Sequence, residues 1–208
     1  MVNNLNNLSR HWGNVIMDAM KQRLRQVLSR HQKQHIVDAR LVPSAVLLPI
    51  CYKQGQYYIL FIKRTQEVKE HKGQISFPGG AYRERDGTLL ATALRECAEE
   101  IGLRVDEVEI LGELDDTVTK TSNYVISPFV AFIPGSYRFK VSREEIEEII
   151  EVPISVLLDK NSRREETKII NGEAVTSYSY HYQGRVIWGA TAGMLNQFLD
   201  VFAGVMEN

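Results

Sequence analysis

An α/β sandwich is the fold class that this sequence predicts, because strand-like and helix-like segments are interleaved along it. Short apolar runs of strand length alternate with turn residues, and amphipathic helical segments stand before, within and after them. A sheet with helices packed on its faces buries all of these apolar surfaces together. The chain of 208 residues is long enough for one well-filled core and a modest extension.

The N-terminal part predicts a helix followed by a linker. Residues 9–30 place apolar side chains at helical spacing among basic and polar ones. Residues 31–40 are polar, so we expect an N-terminal helical extension over 1–40 and a separate core domain over 41–208. A basic amphipathic helix can lie on a membrane, but no large aromatic-rich face accompanies these charges. Docking on the domain, or on the partner subunit of a homodimer, is therefore favoured.

The remaining elements are predicted from the spacing of apolar residues and from the turn residues that separate them. Strands are predicted over 43–50, Tyr57–Lys63, Val108–Leu114, Tyr124–Ile133, Ile169–Ile170 and Ser177–Tyr182, and helices over 88–101, 152–158 and 188–203. Residues 137–141 are predicted as a further strand or as an extended entry to the acidic segment 142–151. The dipeptide Asn171-Gly172 predicts the turn between the last two strands.

Three carboxylates, those of Glu96, Glu99 and Glu100, form the most informative cluster of the chain. Their spacing of i, i+3 and i+4 places them on one face of a helix, where like charges repel one another. A solvated surface is the ordinary explanation, but a hard divalent cation such as Mg²⁺ would compensate the repulsion with oxygen ligands. Gly79 and Gly80 lie just upstream, where they let the backbone turn tightly near a ligand. Such a turn and helix would cradle a phosphate or diphosphate.

These acids belong to a packed helix rather than to an isolated run of charge. An apolar face accompanies them, formed by Ala91, Ala93, Leu94, Cys97, Ala98 and Ile101. Gly102 follows at the position where a left-handed residue ends a helix. Arg95 stands beside the acids, where its guanidinium can orient one of them.

The segment resembles the Nudix box, in which Gly, five residues, Glu and seven residues precede Arg-Glu, an apolar residue, any residue, Glu-Glu, any residue, Gly and an apolar residue. The second half is matched in full over residues 95–103. The first half departs, because its Gly and Glu positions fall on Ala81 and Gly87. The nearby acids are Glu84 and Asp86, so a small insertion before the helix is the simplest explanation. Which of the two takes the role of the missing glutamate stays open.

Further motifs resemble the coenzyme A pyrophosphatase branch of the Nudix hydrolases. The segment before the box carries Leu60–Thr65, Lys69, Gly73 and Phe77–Gly80, with lysine at position 69 where the branch has arginine. That exchange keeps the charge but loses the planar fork of the guanidinium. The stretches 91–96, 145–153 and 187–192 also match, so the resemblance covers roughly residues 41 to 200.

The resemblance implies a fold, a cofactor and a reaction. The fold would be a Nudix-type α/β/α sandwich with a mixed β-sheet and a loop-helix-loop metal site, and residues 41–208 would be the hydrolase domain. Magnesium or manganese ions would be held by Glu96, Glu99, Glu100 and the Gly79 carbonyl. The reaction would be hydrolysis of the diphosphate bond of coenzyme A or its derivatives to 3′,5′-ADP and 4′-phosphopantetheine or its acyl form.

Catalytic and substrate-binding roles follow from the same resemblance. Arg95 would hold a glutamate in place rather than bind substrate. Glu145 is one candidate for the general base, although its acidic segment also suits a solvated face, and Glu96 is the competing candidate. Contacts to the substrate would come from the preceding loop, namely from Lys69, His71, Lys72 and Gly80. A lone histidine in a basic loop is, however, more often simply exposed.

Composition excludes some other classes of function. Net charge is −1, which argues against binding to a nucleic-acid backbone or an acidic membrane surface. No signal-peptide core and no apolar run of about 20 residues is present, so a cytoplasmic protein is expected. The two cysteines, Cys51 and Cys97, stand in apolar contexts and are predicted to be buried thiols without a catalytic role.

Other functions remain open at the level of sequence. The expected partner is a small-molecule nucleotide of the coenzyme A class, and the nearest alternative is a Nudix hydrolase of another nucleotide, such as ADP-ribose or a nucleoside triphosphate. A Nudix-like nucleotide-binding domain that regulates without catalysis is an alternative of another class. The three clustered acids argue against it, because a binding module has no need for them.

Overall fold

The computed structural model of the protein describes residues 2–67, 72–119, 122–170 and 173–207. Its helices are α1 (Val2–Arg30), α2 (Leu89–Ile101), α3 (Ile154–Leu157) and α4 (Gly189–Met206). Its strands are β1 (Val42–Lys53), β2 (Gln56–Arg64), β3 (Ile75–Ser76), β4 (Gly79–Ala81), β5 (Glu109–Glu113), β6 (Thr117–Val118), β7 (Tyr124–Phe132), β8 (Ile146–Pro153), β9 (Arg163–Ile170), β10 (Glu173–Tyr182) and β11 (Arg185–Trp188). Within these ranges no helix is both long and apolar enough to cross a membrane.

Strand β1 lies at the centre of a mixed sheet. The order in this sheet is β3-β2-β1-β7-β5, with β4 also beside β1, β6 beside β7 and β8 beside β2. β1 and β7 run parallel, from Val42 opposite Tyr124 to Ile50 opposite Phe132. The other pairings of this sheet are antiparallel. Strands β9 to β11 form a second, antiparallel sheet in the order β11-β10-β9.

Two hydrophobic layers cover the two faces of the large sheet. Side chains of β1 alternate between them, because successive residues of a strand point to opposite faces. Ala45 and Leu47 pack with helix α2, whereas Val46 and Leu48 pack with α1, α4 and the small sheet. The predicted α/β/α sandwich with a mixed sheet is therefore confirmed.

The N-terminal helix shares the core of the sheet rather than standing apart from it. Met20, Leu24 and Leu28 are buried in the same cluster as the apolar side of α4. Gly112 of β5 allows this close approach, because a Cβ built there would lie 2.5 Å from the Cβ of Leu28. The helix begins earlier than the predicted residue 9, and it ends at Arg30 as predicted.

The predicted linker is irregular in structure but is fastened to the end of β5. Asp115 accepts the backbone N–H of Gln34 at 2.8 Å and contacts His31 Nε2 at 2.7 Å. Asp116 accepts the N–H of Ile36 at 3.1 Å and pairs with Lys33 at 3.0 Å. The two aspartates therefore hold residues 31–36 against the domain.

Helix α2 has the ends that the sequence predicts. The Thr88 hydroxyl accepts the N–H of Ala91, which satisfies a donor of the first turn. Gly102 has φ of +67°, the left-handed conformation that ends a helix. Both cysteines are buried free thiols, as predicted, and burial raises the pKa of Cys51 to about 11.

The chain between β7 and α3 follows its prediction only in part. Residues 137–141 form no strand and lead into the acidic segment, which is the second of the two predicted forms. Their polar groups meet the end of α2: the Tyr137 hydroxyl donates to the Gly102 carbonyl and the Lys140 N–H to that of Ile101. The acidic segment contains strand β8, which was not predicted and pairs with β2. Its isoleucines are divided between the two faces of the sheet, because Ile150 packs in the layer of α1 and α4 and Ile146 and Ile149 pack in the layer of α2. Its glutamates meet basic partners such as Lys63 and Arg185. The turn predicted at 171–172 lies outside the described residues.

Candidate active site

The glycine pair brings β4 against β1 and leaves room for a carboxylate. A Cβ on Gly79 would lie 2.2 Å from the Ala45 carbonyl oxygen and 2.6 Å from Val46 Cα, so no other residue fits this pairing. A Cβ on Gly80 would lie 2.7 Å from the carboxyl carbon of Glu96. Close approach to the backbone of β1 therefore requires glycine at position 79, and Gly80 lies directly beside an acid of the box helix, whose side chain a larger residue would displace.

Glu100 is the buried acid of the cluster, with a side chain that is 2% exposed. Its carboxylate accepts the N–H of Gly79 at 3.0 Å and a bond from Arg64 Nη1 at 3.1 Å. Burial raises the pKa of Glu100 to about 8, against the lowering influence of the Gly79 N–H and the Arg64 charge. A carboxyl group in this position gains strongly from any further cation placed beside it.

Arg95 contacts the other two acids of the cluster, Glu96 and Glu99, and its side chain is mostly buried. Its guanidinium holds Asp86 through two bonds, Nε to Oδ1 at 2.8 Å and Nη2 to Oδ2 at 3.0 Å. Nη1 also donates to Glu96 at 2.6 Å and to Glu99 at 3.0 Å. Arg95 therefore positions two of the predicted metal ligands and is itself fixed by Asp86.

Asp86, rather than Glu84, is the acid before the helix that pairs with Arg95. Asp86 is 3% exposed and binds Arg95 and the Thr92 hydroxyl, whereas Glu84 is exposed on the same short turn. The hydrogen bonds from Arg95 hold the pKa of Asp86 well below its usual range. The spacing of the residues allowed either acid to pair with Arg95, so the sequence pattern did not distinguish Asp86 from Glu84.

Glu96 and Glu99 also lie near a second arginine, Arg83, to which the sequence pattern assigned no role. Arg83 Nη2 lies 3.8 Å from Glu96 Oε1, and Arg83 Nη1 lies 3.6 Å from Glu99 Oε1. Arg83 is about half exposed, as is Glu99, so this pair faces solvent. No motif marks Arg83, which precedes the short turn of Asp86 in the chain.

Glu145, the distal candidate for the general base, lies next to the same cluster. Its Oε2 is 3.9 Å from Arg64 Nη2, and its side chain is half exposed. The backbone fixes this loop, because the Thr65 N–H donates to the Glu145 carbonyl and the Thr65 hydroxyl to that of Glu144. Arg64 thus stands between Glu100 and Glu145, a role that sequence reasoning did not assign to it.

The substrate-binding residues predicted before the box are only partly described. Lys72 is exposed at the end of the β2–β3 loop, and the structure gives it no contact with the acids of α2 among the described residues. Lys69 and His71 lie outside the described residues. Of the predicted substrate-binding set, Gly80 is therefore the member that the structure brings beside the box helix.

The donor set fits a hard divalent cation. It consists of carboxylate oxygens on one helix face, with no thiolate or imidazole among the neighbours described above, and oxygen ligands suit Mg²⁺ and Mn²⁺. Arg64 Nε is a buried donor without a partner among the described residues. No group of three convergent acidic, cysteine or histidine ligands occurs among the described residues. Glu96 and Glu99 bind Arg95, and Glu100 accepts the Gly79 N–H. Cation binding would therefore compete with Arg95 and Arg83 for Glu96 and Glu99.

Comparison with known proteins identifies the family to which the chain belongs. The family model of the NUDIX domain matches residues 41–172. A protein of Photorhabdus laumondii named uncharacterized Nudix hydrolase NudL is 34% identical over 154 residues, which cover 74% of this chain and 81% of that protein. One of Enterobacter sp. with the same name is 33% identical over 174 residues, covering 83% of each.

A solved structure shows the same fold at low sequence identity. The crystal structure of a MutT/nudix family protein from Enterococcus faecalis superposes with a TM-score of 0.52 at 13% identity, covering 92% of this chain and 74% of that one. The box helix, the glycine turn and the Asp86–Arg95 pair all lie within the matched domain. The chain therefore belongs to the Nudix family and is a Nudix hydrolase, an enzyme that hydrolyses nucleoside diphosphate derivatives.

Proposed function

We propose that the protein is a coenzyme A diphosphatase, which hydrolyses the diphosphate bond of coenzyme A or its derivatives. The products would be 3′,5′-ADP and 4′-phosphopantetheine or its acyl form. The observation that carries the proposal is the pairing of Asp86 with Arg95. It gives a structural role to the altered box spacing that this chain shares with the coenzyme A branch. The motif before the box supports the proposal too, because its Arg64 contacts Glu100 and its Gly79 binds the same carboxylate.

Glu96, Glu99, Glu100 and the Gly79 carbonyl would hold Mg²⁺ or Mn²⁺ in this enzyme. When bound, the cation supplies neutralisation of the phosphate charge and a water of lowered pKa. Arg95 keeps Glu96 and Glu99 on the face where the diphosphate would lie. Arg64 and the Gly79 N–H keep Glu100 oriented at its buried end.

The hydrolytic step needs a base for the attacking water. Water oxygen bonds to one phosphorus, the bond from that phosphorus to the bridging oxygen breaks, and two phosphate monoesters result. Glu145 is our choice to accept the proton, because it is solvent-accessible and is placed by Arg64 beside Glu100. Glu96 is the competing base, but its carboxylate already accepts a bond from Arg95 at 2.6 Å.

Product analysis tests the proposal directly. The purified protein is incubated with Mg²⁺ and coenzyme A, dephospho-coenzyme A, ADP-ribose, NADH or a nucleoside triphosphate, and the products are separated by chromatography. We expect 3′,5′-ADP and phosphopantetheine from coenzyme A as the fastest reaction, loss of it in EDTA, and recovery with Mg²⁺ or Mn²⁺. Faster cleavage of ADP-ribose would reassign the substrate. No cleavage of any compound would favour a nucleotide-binding regulatory domain.

Domain organisation, location and assembly stay predictions. We propose that residues 1–40 are an extension of the hydrolase domain 41–208 that is built into its core, since Leu24 and Leu28 are buried there. A cytoplasmic location and a homodimer are expected from the sequence alone. Size-exclusion chromatography with light scattering would measure the assembly.

A further inference from the structure

A cavity of about 420 Å³ lies on the small sheet, apart from the acids of the active site. Its lining includes Arg164, Ser177, Ser179 and Trp188, and none of the residues assigned above to metal, base or substrate. It is therefore a second concave surface with its own chemistry.

Strand register places three of these side chains in one row. Trp188 of β11 is opposite Ser179 of β10, and Ser179 is opposite Arg164 of β9. Residues that lie directly opposite one another on neighbouring strands share a face of the sheet. The backbones of Trp188 and Arg164 thus stand two strand spacings apart, or about 10 Å, with both side chains on one face. The small side chain of Ser179 between them forms the floor of the cavity.

Trp188 is not explained by the packing of its own segment. Its neighbours are, because Ile187 and Ala192 are buried in the main core and Gly189 has a φ of +65° where α4 begins. Trp188 instead leaves 53% of its surface exposed. A large aromatic group exposed at the edge of a cavity is typical of a binding surface, where its flat face can stack on a partner.

Arg164 is likewise unused by the fold. Its guanidinium forms neither a hydrogen bond nor an ion pair with the described residues. Its neighbour Arg163, which points to the other face, binds Asn196 at 3.1 Å and Glu165 at 3.0 Å. The guanidinium on the cavity side therefore keeps all of its donors for a partner, and a guanidinium suits the oxygens of a phosphate.

We propose that this cavity binds a nucleoside monophosphate, with its base stacked on Trp188 and its phosphate held by Arg164. A flat aromatic side chain and a cationic one, carried on backbones about 10 Å apart, suit the two ends of such a molecule. Ser177 and Ser179 lie where the ribose would cross the middle strand. Glu166 also lines the cavity, and its negative charge disfavours a longer, more highly charged polyphosphate.

Fluorescence of Trp188 tests the proposal at the site itself. The chain has two tryptophans, so Trp12→Phe leaves Trp188 as the reporter. AMP, added to this protein in EDTA, should quench the emission saturably, and adenosine should bind more weakly. Arg164→Gln should weaken AMP binding by about fivefold or more and leave adenosine unchanged, since it removes the phosphate contact. The exposed Arg30→Gln is the matched control and should change neither.

Two further measurements test whether AMP binds at this cavity or elsewhere on the protein. Equilibrium dialysis of radiolabelled AMP should show weaker binding to Trp188→Ala than to Trp188→Phe, with thermal unfolding of both near that of the parent. Glu100→Gln should leave the Trp188 response intact, because that residue belongs to the other site. The proposal is wrong if quenching does not saturate, if Arg164→Gln binds AMP as tightly as the parent, or if Glu100→Gln abolishes the response. It is also wrong if emission follows protein concentration alone, which would show that a second copy of the chain covers the face.

Discussion

Arg64 and Glu100 form an ion pair at the buried end of the active site, with 3.1 Å between Nη1 and Oε1. The same guanidinium lies 3.9 Å from Glu145 through Nη2. Glu100 belongs to α2 and Glu145 to the loop before β8, so one arginine of β2 links two acids from separate elements. This link explains how an acid 45 positions further along the chain reaches the box helix.

Substitution of Arg64 should lower the stability of the protein even without a bound metal ion. We expect Arg64→Gln to lower the unfolding free energy by about 1–3 kcal/mol, because Glu100 is left with the Gly79 N–H as its remaining partner. Urea denaturation in EDTA measures this change. Arg143→Gln, at an exposed arginine that bonds to a backbone carbonyl, is the control and should stay within about 0.5 kcal/mol of the parent. Equal stability of the two variants would contradict the role given to Arg64.

Acid stability should report the pairing of Asp86 with Arg95. The bonds from Arg95 hold the pKa of Asp86 below that of the unfolded chain, which is about 3.9. The folded state then binds fewer protons than the unfolded state, so this contribution is present above about pH 4 and is lost as the pH falls towards the folded pKa. We expect the unfolding free energy of the parent to fall more steeply below about pH 4 than that of Asp86→Asn. Parallel curves for the two proteins would contradict the assignment.

The sequence predicted the acid face of α2 but not how that face is held. Helical period alone places Glu96, Glu99 and Glu100 together, and the end of the helix follows from Gly102. The contact of Arg64 with Glu100 depends on the register of β2 against its neighbours, which periodicity does not supply. Asp86 could not be separated from Glu84 by spacing, because burial decides between them.

Strand β8 shows why the pattern of an acidic segment can fail to predict a strand. Three glutamates are interspersed with apolar residues between Ile146 and Pro153, and charge runs usually form a solvated face. The structure pairs these residues with β2, where Lys63 and Lys53 compensate Glu147 and Glu151. The basic partners are more than 80 positions away in the chain, so the pattern within the segment carried no sign of them.

Loss of one box carboxylate should affect catalysis far more than folding. Glu99→Gln or Glu100→Gln should lower kcat by at least about a hundredfold, because each removes a predicted ligand of the required cation. Steady-state hydrolysis and thermal unfolding are measured side by side. Glu84→Gln is the matched control, since Glu84 is exposed and lies near the same loop. Near-parent activity in both box variants would remove these residues from the metal site.

The extension should contribute to stability through its buried face. Leu24 is 1% exposed and belongs to the core of the large sheet, whereas Val27 on the same helix is 43% exposed. We expect Leu24→Ala to lower the unfolding free energy by about 2–5 kcal/mol, through lost burial and the cavity left behind. Val27→Ala should cost less than about 1 kcal/mol. Similar values for the two would show that α1 does not pack on the core in solution.

Substrate choice should depend on the loop before the box. Coenzyme A carries a 3′-phosphate that dephospho-coenzyme A lacks, and Lys69 and Lys72 are the cations proposed to meet it. A charge-assisted contact that is partly desolvated is worth about 1–3 kcal/mol, or roughly five- to a hundredfold in kcat/KM. Coenzyme A should therefore be cleaved faster than dephospho-coenzyme A by a factor in this range.

Neutralising the two lysines measures the contribution of this loop independently of the box acids. Lys69→Gln and Lys72→Gln together should lower kcat/KM for coenzyme A and leave that for dephospho-coenzyme A nearly unchanged, so that the gap closes. Lys160→Gln, at an exposed lysine between α3 and β9, is the control and should preserve the gap. Equal kcat/KM of the parent for the two substrates would mean that the loop does not read the 3′-phosphate. Hydrolysis of the diphosphate would then still rest on Glu96, Glu99 and Glu100, because none of these acids contacts that phosphate in the proposed arrangement.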